Sequence, residues 1–190
     1  AQGSSVSVLH TRPLQKSLTV GDYRRDMVRN MFESMLNARL GEIARRADAP
    51  FLGANVGDDV LGRTVEAFGA SARVVEGGIP KGLDAVEQEL ARVRQFGFSD
   101  AELDRVKKST LAAYERAYNE RDKAESPGQA SELLQLFLND VPAPGIEYEY
   151  NLAKQFVPTI TTAETAALAK ELVTETNRVV LATAPEKKGL

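Results

Sequence analysis

Apolar and polar residues along this chain follow two periods, one typical of helices and the other typical of strands. Within Thr19 to Asp48 the apolar residues recur at steps of three and four, which places them on one face of a helix. That apolar stripe consists of Val28, Met31, Phe32, Met35, Leu36, Leu40 and Ile43. We predict a long helix that begins after a Thr19 cap, is favoured by Asp22 in its first turn, and buries the stripe in a core.

Four shorter segments have the alternation or the β-branched composition of strands, and they cover residues 5–11, 51–57, 64–76 and 178–184. The second and third of these are close enough in sequence to pair as an antiparallel hairpin. The fourth, RVVLATA, is apolar throughout, and we expect it to be a buried strand.

Helical periodicity predicts five further helices, over residues 81–97, 99–126, 129–139, 146–157 and 161–174. Two of them begin with a capping box, in which a hydroxyl residue is followed three positions later by a glutamate: Ser99 with Glu102, and Thr161 with Glu164. The helix over 129–139 is so dense in leucine that we expect it to be buried on most sides.

Length and charge limit the classes of function. The 190 residues favour a single α/β domain over 1–190, with residues 1–4 and 186–190 as linker ends. Because the net charge is −3 and both signs are interleaved, nothing indicates a nucleic-acid surface. No apolar run approaches the roughly 18 residues of a membrane span. The first residue is alanine, and we expect the chain to be a piece of a longer polypeptide.

Catalytic chemistry finds little support in the residue types present. The chain has no cysteine and one histidine, His10, and it lacks the zinc motifs HExxH and HxxEH and the serine-nucleophile motif GxSxG. A metal ligand or a general base at His10 would need partners, and none is visible nearby. We therefore interpret His10 as a polar residue at the end of a strand, and we predict no catalytic residue, no metal ligand and no cofactor in this chain.

Two charged clusters allow alternative interpretations. The arginines of the opening helix could form an anion or peptide-carboxylate site, or they could be a solvated helix face, which we favour; they are Arg24, Arg25, Arg29, Arg39, Arg45 and Arg46. A second cluster on the 99–126 helix could be imagined as a site, although its spacing is typical of charge pairs on an exposed helix; it consists of Tyr114, Glu115, Tyr118, Glu120 and Arg121.

Several blocks of the sequence, in order, resemble one protein family. They include YRRDMVRNMFESMLNARLGEIARRADAPFLGA, LARVRQFGFSDAELDRVKKSTLAAYERAYNERDK, FLNDVPAPGIEYEYNL, TITTAETAALAKEL and NRVVLATAP. Together they cover about residues 5 to 185 and are similar to the second domain of the pitrilysin and insulinase (M16) family of zinc peptidases. More narrowly, they resemble the large bacterial four-domain members of that family.

The resemblance implies an α+β fold in two layers, an antiparallel sheet with helices packed on one face. It also implies a clam-shell chamber of four such domains, with the catalytic zinc held by HxxEH in the first domain. Since HxxEH is absent here, the resemblance implies a non-catalytic domain that supports the catalytic domain of the same polypeptide and helps to wall a chamber around peptide substrates. Resemblance to secreted bacterial members implies a periplasmic location.

Two alternatives to that function remain. The chain could be a non-peptidase structural or interaction subunit of the same family, which predicts no HxxEH in the same gene product. It could instead be an unrelated helical binding module, which predicts no core sheet. If the chain is the non-catalytic domain of a peptidase, the arginine-rich face of the opening helix is where we expect a contact with the missing catalytic domain.

Overall fold

The computed structural model describes residues 3–123 and 126–186. Its strands are Ser4–Pro13 (β1), Gly53–Val60 (β2), Val65–Val74 (β3) and Arg178–Thr183 (β4). Its α-helices are Val20–Ala44 (α1), Ile79–Phe96 (α2), Asp100–Asn119 (α3), Ser126–Asn139 (α4), Ile146–Phe156 (α5) and Thr162–Leu172 (α6). The described residues form two compact units: the first contains those up to Gln15, Phe32–Phe98 and those from Thr165 onward, and the second contains those of Lys16–Met31 and Ser99–Glu164.

The first unit contains the antiparallel sheet, with strands in the order β2-β3-β1-β4. Val8 of β1 lies opposite Ala70 of β3 on one side and Val180 of β4 on the other. Strands β2 and β3 form the predicted hairpin, with Val56 opposite Ala70. The α+β prediction is thereby confirmed, and the interpretation as a purely helical module is wrong.

One face of this sheet is packed under helices. Alternate strand residues such as Val6, Val8 and Phe68 are buried there, as the period of two requires. The second half of α1 packs on the same layer, where the Phe32 ring meets the Phe68 ring edge to face, with the ring centroids 5.8 Å apart. Phe32 meets Phe98 in the same way at 5.5 Å, so the stripe predicted for α1 does form part of a core.

The opposite face of the sheet carries small and polar side chains together with the apolar Leu9, Val179 and Leu181. Ser7 of β1 and Ser71 of β3 lie opposite each other there and share a hydrogen bond of 2.7 Å. Strand β4, which was predicted to be buried, is exposed at all six positions, so that prediction is wrong. The physical reason is its place at the edge of the sheet, where β1 is its one neighbour in the strand order.

Strand β2 forms the other edge of the sheet, and a side chain of α1 completes its hydrogen bonding. The Asn37 amide nitrogen donates to the Val56 carbonyl oxygen at 3.0 Å, and the Val56 amide nitrogen donates to Asn37 Oδ1 at 2.8 Å. A further strand paired with β2 would make these two hydrogen bonds with the Val56 backbone. Asn37 therefore occupies an edge position that would otherwise be open to strand pairing.

The second unit is helical, and its core is formed by Met27, Val28, Leu103, Val106, Leu152, Ala153, Val157 and Ile160. Both predicted capping boxes are confirmed, because Ser99 and Glu102, and likewise Thr161 and Glu164, exchange hydrogen bonds at the helix starts. The prediction of a buried α4 is wrong: Phe137 is 83% exposed, and Leu133, Leu134, Leu136 and Leu138 are exposed as well.

Candidate functional site

His10 lies inside β1, between Phe68 of β3 and Arg178 of β4, and not at the strand end as predicted, because β1 continues to Pro13; the His10 side chain is only 4% exposed. Its Nδ1 accepts a hydrogen bond from the Thr174 backbone nitrogen at 3.3 Å. Burial, followed by the positive charge of Arg178, lowers the pKa of His10 below its usual value. A neutral imidazole packed beside the Phe68 ring is the result, with its centroid 6.5 Å from that of the phenyl ring.

The arginines of α1 do not form the solvated face that we favoured. In the second unit two of these arginines form ion pairs. Arg24 Nη1 lies 2.7 Å from Glu164 Oε1, and Arg25 Nη1 lies 2.7 Å from Asp22 Oδ1. Arg29 is buried. Four of the six arginines are thus partly or fully withdrawn from solvent, and the exposed ones are Arg45 and Arg46 near the end of the helix.

In the first unit Arg39 is held by three groups. It donates to Glu89 Oε1 at 3.2 Å and to the Gly97 carbonyl oxygen at 3.0 Å, and its guanidinium lies 4.6 Å from the centre of the Phe98 ring. Because Glu89 is itself buried, this ion pair joins α1 to α2 inside the unit. Arg39 therefore serves the fold and does not present a charge to an external anion.

The tyrosine and charge cluster on α3 is also engaged in structural contacts. Tyr114 Oη lies 3.0 Å from Tyr23 Oη of α1, within the second unit. Tyr118 stacks on Tyr150 of α5, with the ring centroids 5.2 Å apart, and the Arg121 guanidinium lies over the Tyr118 ring. These contacts join the helices to one another, and no catalytic arrangement follows from them.

The second unit contains an apolar cleft of about 610 Å³. Its lining comes from three parts of the sequence: the start of α1 with the residues before it, α4 at Glu132, and the Val141–Pro144 segment with α5. Several apolar side chains in the lining stay 43–56% exposed, namely Leu18, Val20, Val141 and Tyr148. A cleft of this size lies within the range of known ligand-binding sites, roughly 300–1,000 Å³.

Three carboxylates line the same cleft: Asp26 of α1, Glu132 of α4 and Glu149 of α5. Burial, with the negative charge of Glu132 as a second cause, raises the pKa of Glu149 above its usual value. The pKa of Tyr23 is also raised, first by burial and then by its hydrogen bond to Tyr114, and the charges of Glu149 and Asp26 add to the effect. The cleft therefore combines an apolar interior with negative potential.

This cleft was not predicted from the sequence. No site residue was predicted in the helices over 129–139 and 146–157, although they supply Glu132 and Glu149 to the lining of the cleft. A local signal existed, since Glu132 adjoins the leucine-rich run of α4 and Glu149 lies between two tyrosines. The two residues are 17 positions apart on different helices, so their proximity depends on tertiary structure.

A curated protein from Arabidopsis thaliana, described as a zinc protease PQQL-like, is 32% identical to this chain over 186 residues, which is 98% of the chain. The chain belongs to the pitrilysin and insulinase family of zinc peptidases. It spans 16% of the length of that relative. No protein-family profile matches it.

Solved structures of insulinase-family peptidases share the fold of this family member. The periplasmic protease PqqL from Escherichia coli gives a TM-score of 0.86 at 19% identity, over 95% of this chain and 20% of that one. An inactive M16 peptidase domain from Pseudomonas fluorescens gives a TM-score of 0.68 at 15% identity, over 98% of this chain and 42% of that one. The family and the fold implied by the resemblance are thereby confirmed.

The family is zinc-dependent, and the residues of this member do not fit a zinc ion. Across residues 3–123 and 126–186, no three histidine, cysteine, aspartate or glutamate side chains converge as ligands. His10 is buried against Phe68, and its Nδ1 is occupied by the Thr174 amide. Within the same ranges, no helix is both long and apolar enough to cross a membrane.

Proposed function

We propose that this chain is a non-catalytic domain of a zinc metallopeptidase and that it supports the catalytic domain of the same polypeptide. One observation carries the proposal: the chain is a member of a zinc peptidase family, yet its sequence contains a single histidine and no HxxEH. An inactive domain among proteins of the same fold supports it. In this proposal residues 1–190 form one domain with linker ends at 1–4 and 186–190, except that Ser4 is already the first residue of β1, and the zinc belongs to a preceding domain.

The sheet face without helices is the surface that we assign to the wall of a peptide-enclosing chamber. It presents Ser5, Ser7 and Ser71 together with Asn55 of β2 and the apolar Leu9 and Leu181, so it offers both polar and apolar side chains to an extended peptide. The periplasmic location of the Escherichia coli protease of the same fold supports the same location for this protein.

The proposal is tested with the purified chain and with its full-length gene product. The chain should retain no stoichiometric zinc after dialysis against a weak chelator and should cleave no peptide. Deletion of these residues from the full-length protein should abolish peptide cleavage while the zinc content stays near one equivalent. One equivalent of zinc in the chain alone, or a deletion protein with unchanged activity, would contradict the proposal.

The alternative function, a non-peptidase structural subunit, makes the opposite prediction for the full-length gene product. That product would contain no HxxEH, would bind no zinc and would cleave no peptide. Zinc analysis of the full-length protein therefore separates the two functions in a single measurement.

A further inference from the structure

Two of the three acidic groups in the cleft of the second unit, Glu132 and Glu149, have no basic partner among the described residues. Among the described residues that line it, none is a lysine, an arginine or a histidine. Asp26 Oδ1 lies 3.8 Å from Arg25 Nε, whereas Arg25 Nη1 lies closer to Asp22 Oδ1, at 2.7 Å. Within the described part of the chain, no basic side chain forms an ion pair with Glu132 or Glu149.

Such an arrangement is costly for the folded chain alone. Carboxylates are stabilised by water or by an opposite charge, and the raised pKa of Glu149 indicates that it has too little of either. At the same time the exposed Leu18, Val20, Val141 and Tyr148 side chains leave apolar surface in contact with water. A ligand that is both apolar and positively charged would relieve both costs.

We propose that this cleft binds a peptide segment that carries a lysine or an arginine beside large apolar residues. The apolar side chains of the segment fill the space between Val20, Val141 and Tyr148, and its cationic group meets Glu132 and Glu149. This site belongs to the second unit and the serine-bearing sheet face to the first, and the proposal does not depend on whether the full-length protein is a peptidase.

A peptide fits this surface better than a small amine because the apolar surface continues beyond the cleft. Leu136 lies one turn along α4 from Glu132, on the same side of that helix, and it is 43% exposed. Leu133 adjoins Glu132 and is 62% exposed. A segment of several residues can therefore contact α4 while its basic residue occupies the cleft, which is how amphipathic segments bind helical grooves.

Fluorescence polarisation with three labelled probe peptides tests this proposal on the intact chain. The first is Leu-Phe-Arg-Leu-Phe, the second carries citrulline in place of arginine, and the third carries glutamate. We expect the arginine peptide to bind about two- to fivefold more tightly than the citrulline peptide, the effect of one partly exposed ion pair. That difference should shrink as the salt concentration rises.

Substitutions locate the site and keep the test decisive. The double variant Glu132→Gln, Glu149→Gln should bind the arginine and citrulline peptides equally. Glu147→Gln is the matched control. Glu147 is an exposed acid on α5, the helix that also carries Glu149, and it does not line the cleft. This variant should keep the preference for the arginine peptide over the citrulline peptide. Tyr148→Ala should weaken binding of both peptides.

Several results would overturn the proposal. Equal binding of the three peptides by the unsubstituted chain would do so, as would an equal loss of preference in the Glu147→Gln control. Binding of phenethylamine as tightly as the arginine peptide would assign the cleft to a small amine. Self-association of the chain that is lost in the double variant would assign it to a second copy.

Discussion

Gly82, in the first turns of α2, is the position where an added methyl group tests the packing of helix on sheet most directly. A Cβ atom built there would overlap Cγ1 of Val74 on β3, and it would also lie 3.7 Å from Val6 Cγ1 and 3.8 Å from the Pro50 carbonyl oxygen. Val74 is 3% exposed and β-branched, so its side chain has little freedom to rotate away. The helix must therefore shift if Gly82 becomes alanine.

Two opposing effects decide how much Gly82→Ala changes the free energy of unfolding. Alanine in a helix is favoured over glycine by about 0.5–1 kcal/mol because alanine loses less backbone conformational entropy than glycine when the chain folds. Overpacking of a well-packed core costs about 1–3 kcal/mol. Because the overlapping atom belongs to a stiff, buried side chain, we expect overpacking to dominate and the free energy of unfolding to fall by about 1–2 kcal/mol.

Urea unfolding followed by circular dichroism measures this change. Gly41→Ala is the matched control, because a Cβ at Gly41 of α1 would meet only the end of the Arg45 side chain, at 3.8 Å. That variant should be more stable by about 0.5–1 kcal/mol. The pair of variants should thus change stability in opposite directions. A stabilised Gly82→Ala protein would refute the close approach of α2 to β3.

Three other substitutions test the contacts described above. Arg39→Met should lower the free energy of unfolding by about 3 kcal/mol in a urea titration, since Glu89 is left buried without its closest partner, and a second change, Glu89→Met, should restore much of the loss. Asn37→Leu should cost about 1–2 kcal/mol and speed amide hydrogen exchange at Val56, whereas Asn37→Asp should retain part of the stability by keeping the acceptor oxygen. Glu149→Gln should raise the melting temperature at pH 7. The pKa of Glu149 is raised in the folded state, so its penalty is present at neutral pH and lost below about pH 4, where folded and unfolded carboxyls are both protonated, and the difference should vanish there. Unchanged stability of Arg39→Met, unchanged Val56 exchange in Asn37→Leu, or a pH-independent effect of Glu149→Gln would contradict the respective contact.

The elements that were predicted correctly depend on residues close in sequence. A capping box needs only a hydroxyl residue and a glutamate three positions apart, so Ser99 and Glu102 mark the start of α3 without reference to the rest of the fold. The apolar stripe of α1 and the β2–β3 hairpin are likewise local patterns. A local pattern of this kind predicts the observed element correctly where tertiary packing favours the same structure.

The errors concern burial, which depends on what lies next to an element in space. The sequences of α4 and β4 are apolar, and apolar composition predicted burial for both. Strand β4 is at an edge of the sheet, and α4 exposes Phe137 and four leucines. Hydrophobicity indicates which surfaces gain from burial, but it does not supply the partner that buries them.

For charged residues, as for burial, the neighbours in space matter and the nearby sequence does not show them. Arg24 pairs with Glu164 and Arg39 pairs with Glu89, over 140 and 50 positions of sequence, so no local spacing could show that these arginines are already neutralised. Paired charges of this kind stabilise a fold, and they leave little attraction for an external anion. Glu149 is the opposite case, a partly buried acid with no basic partner among the described residues. Because a folded chain gains nothing by keeping such a charge in an apolar cleft, the two acids of the cleft are better candidates for binding than the six arginines that first drew attention.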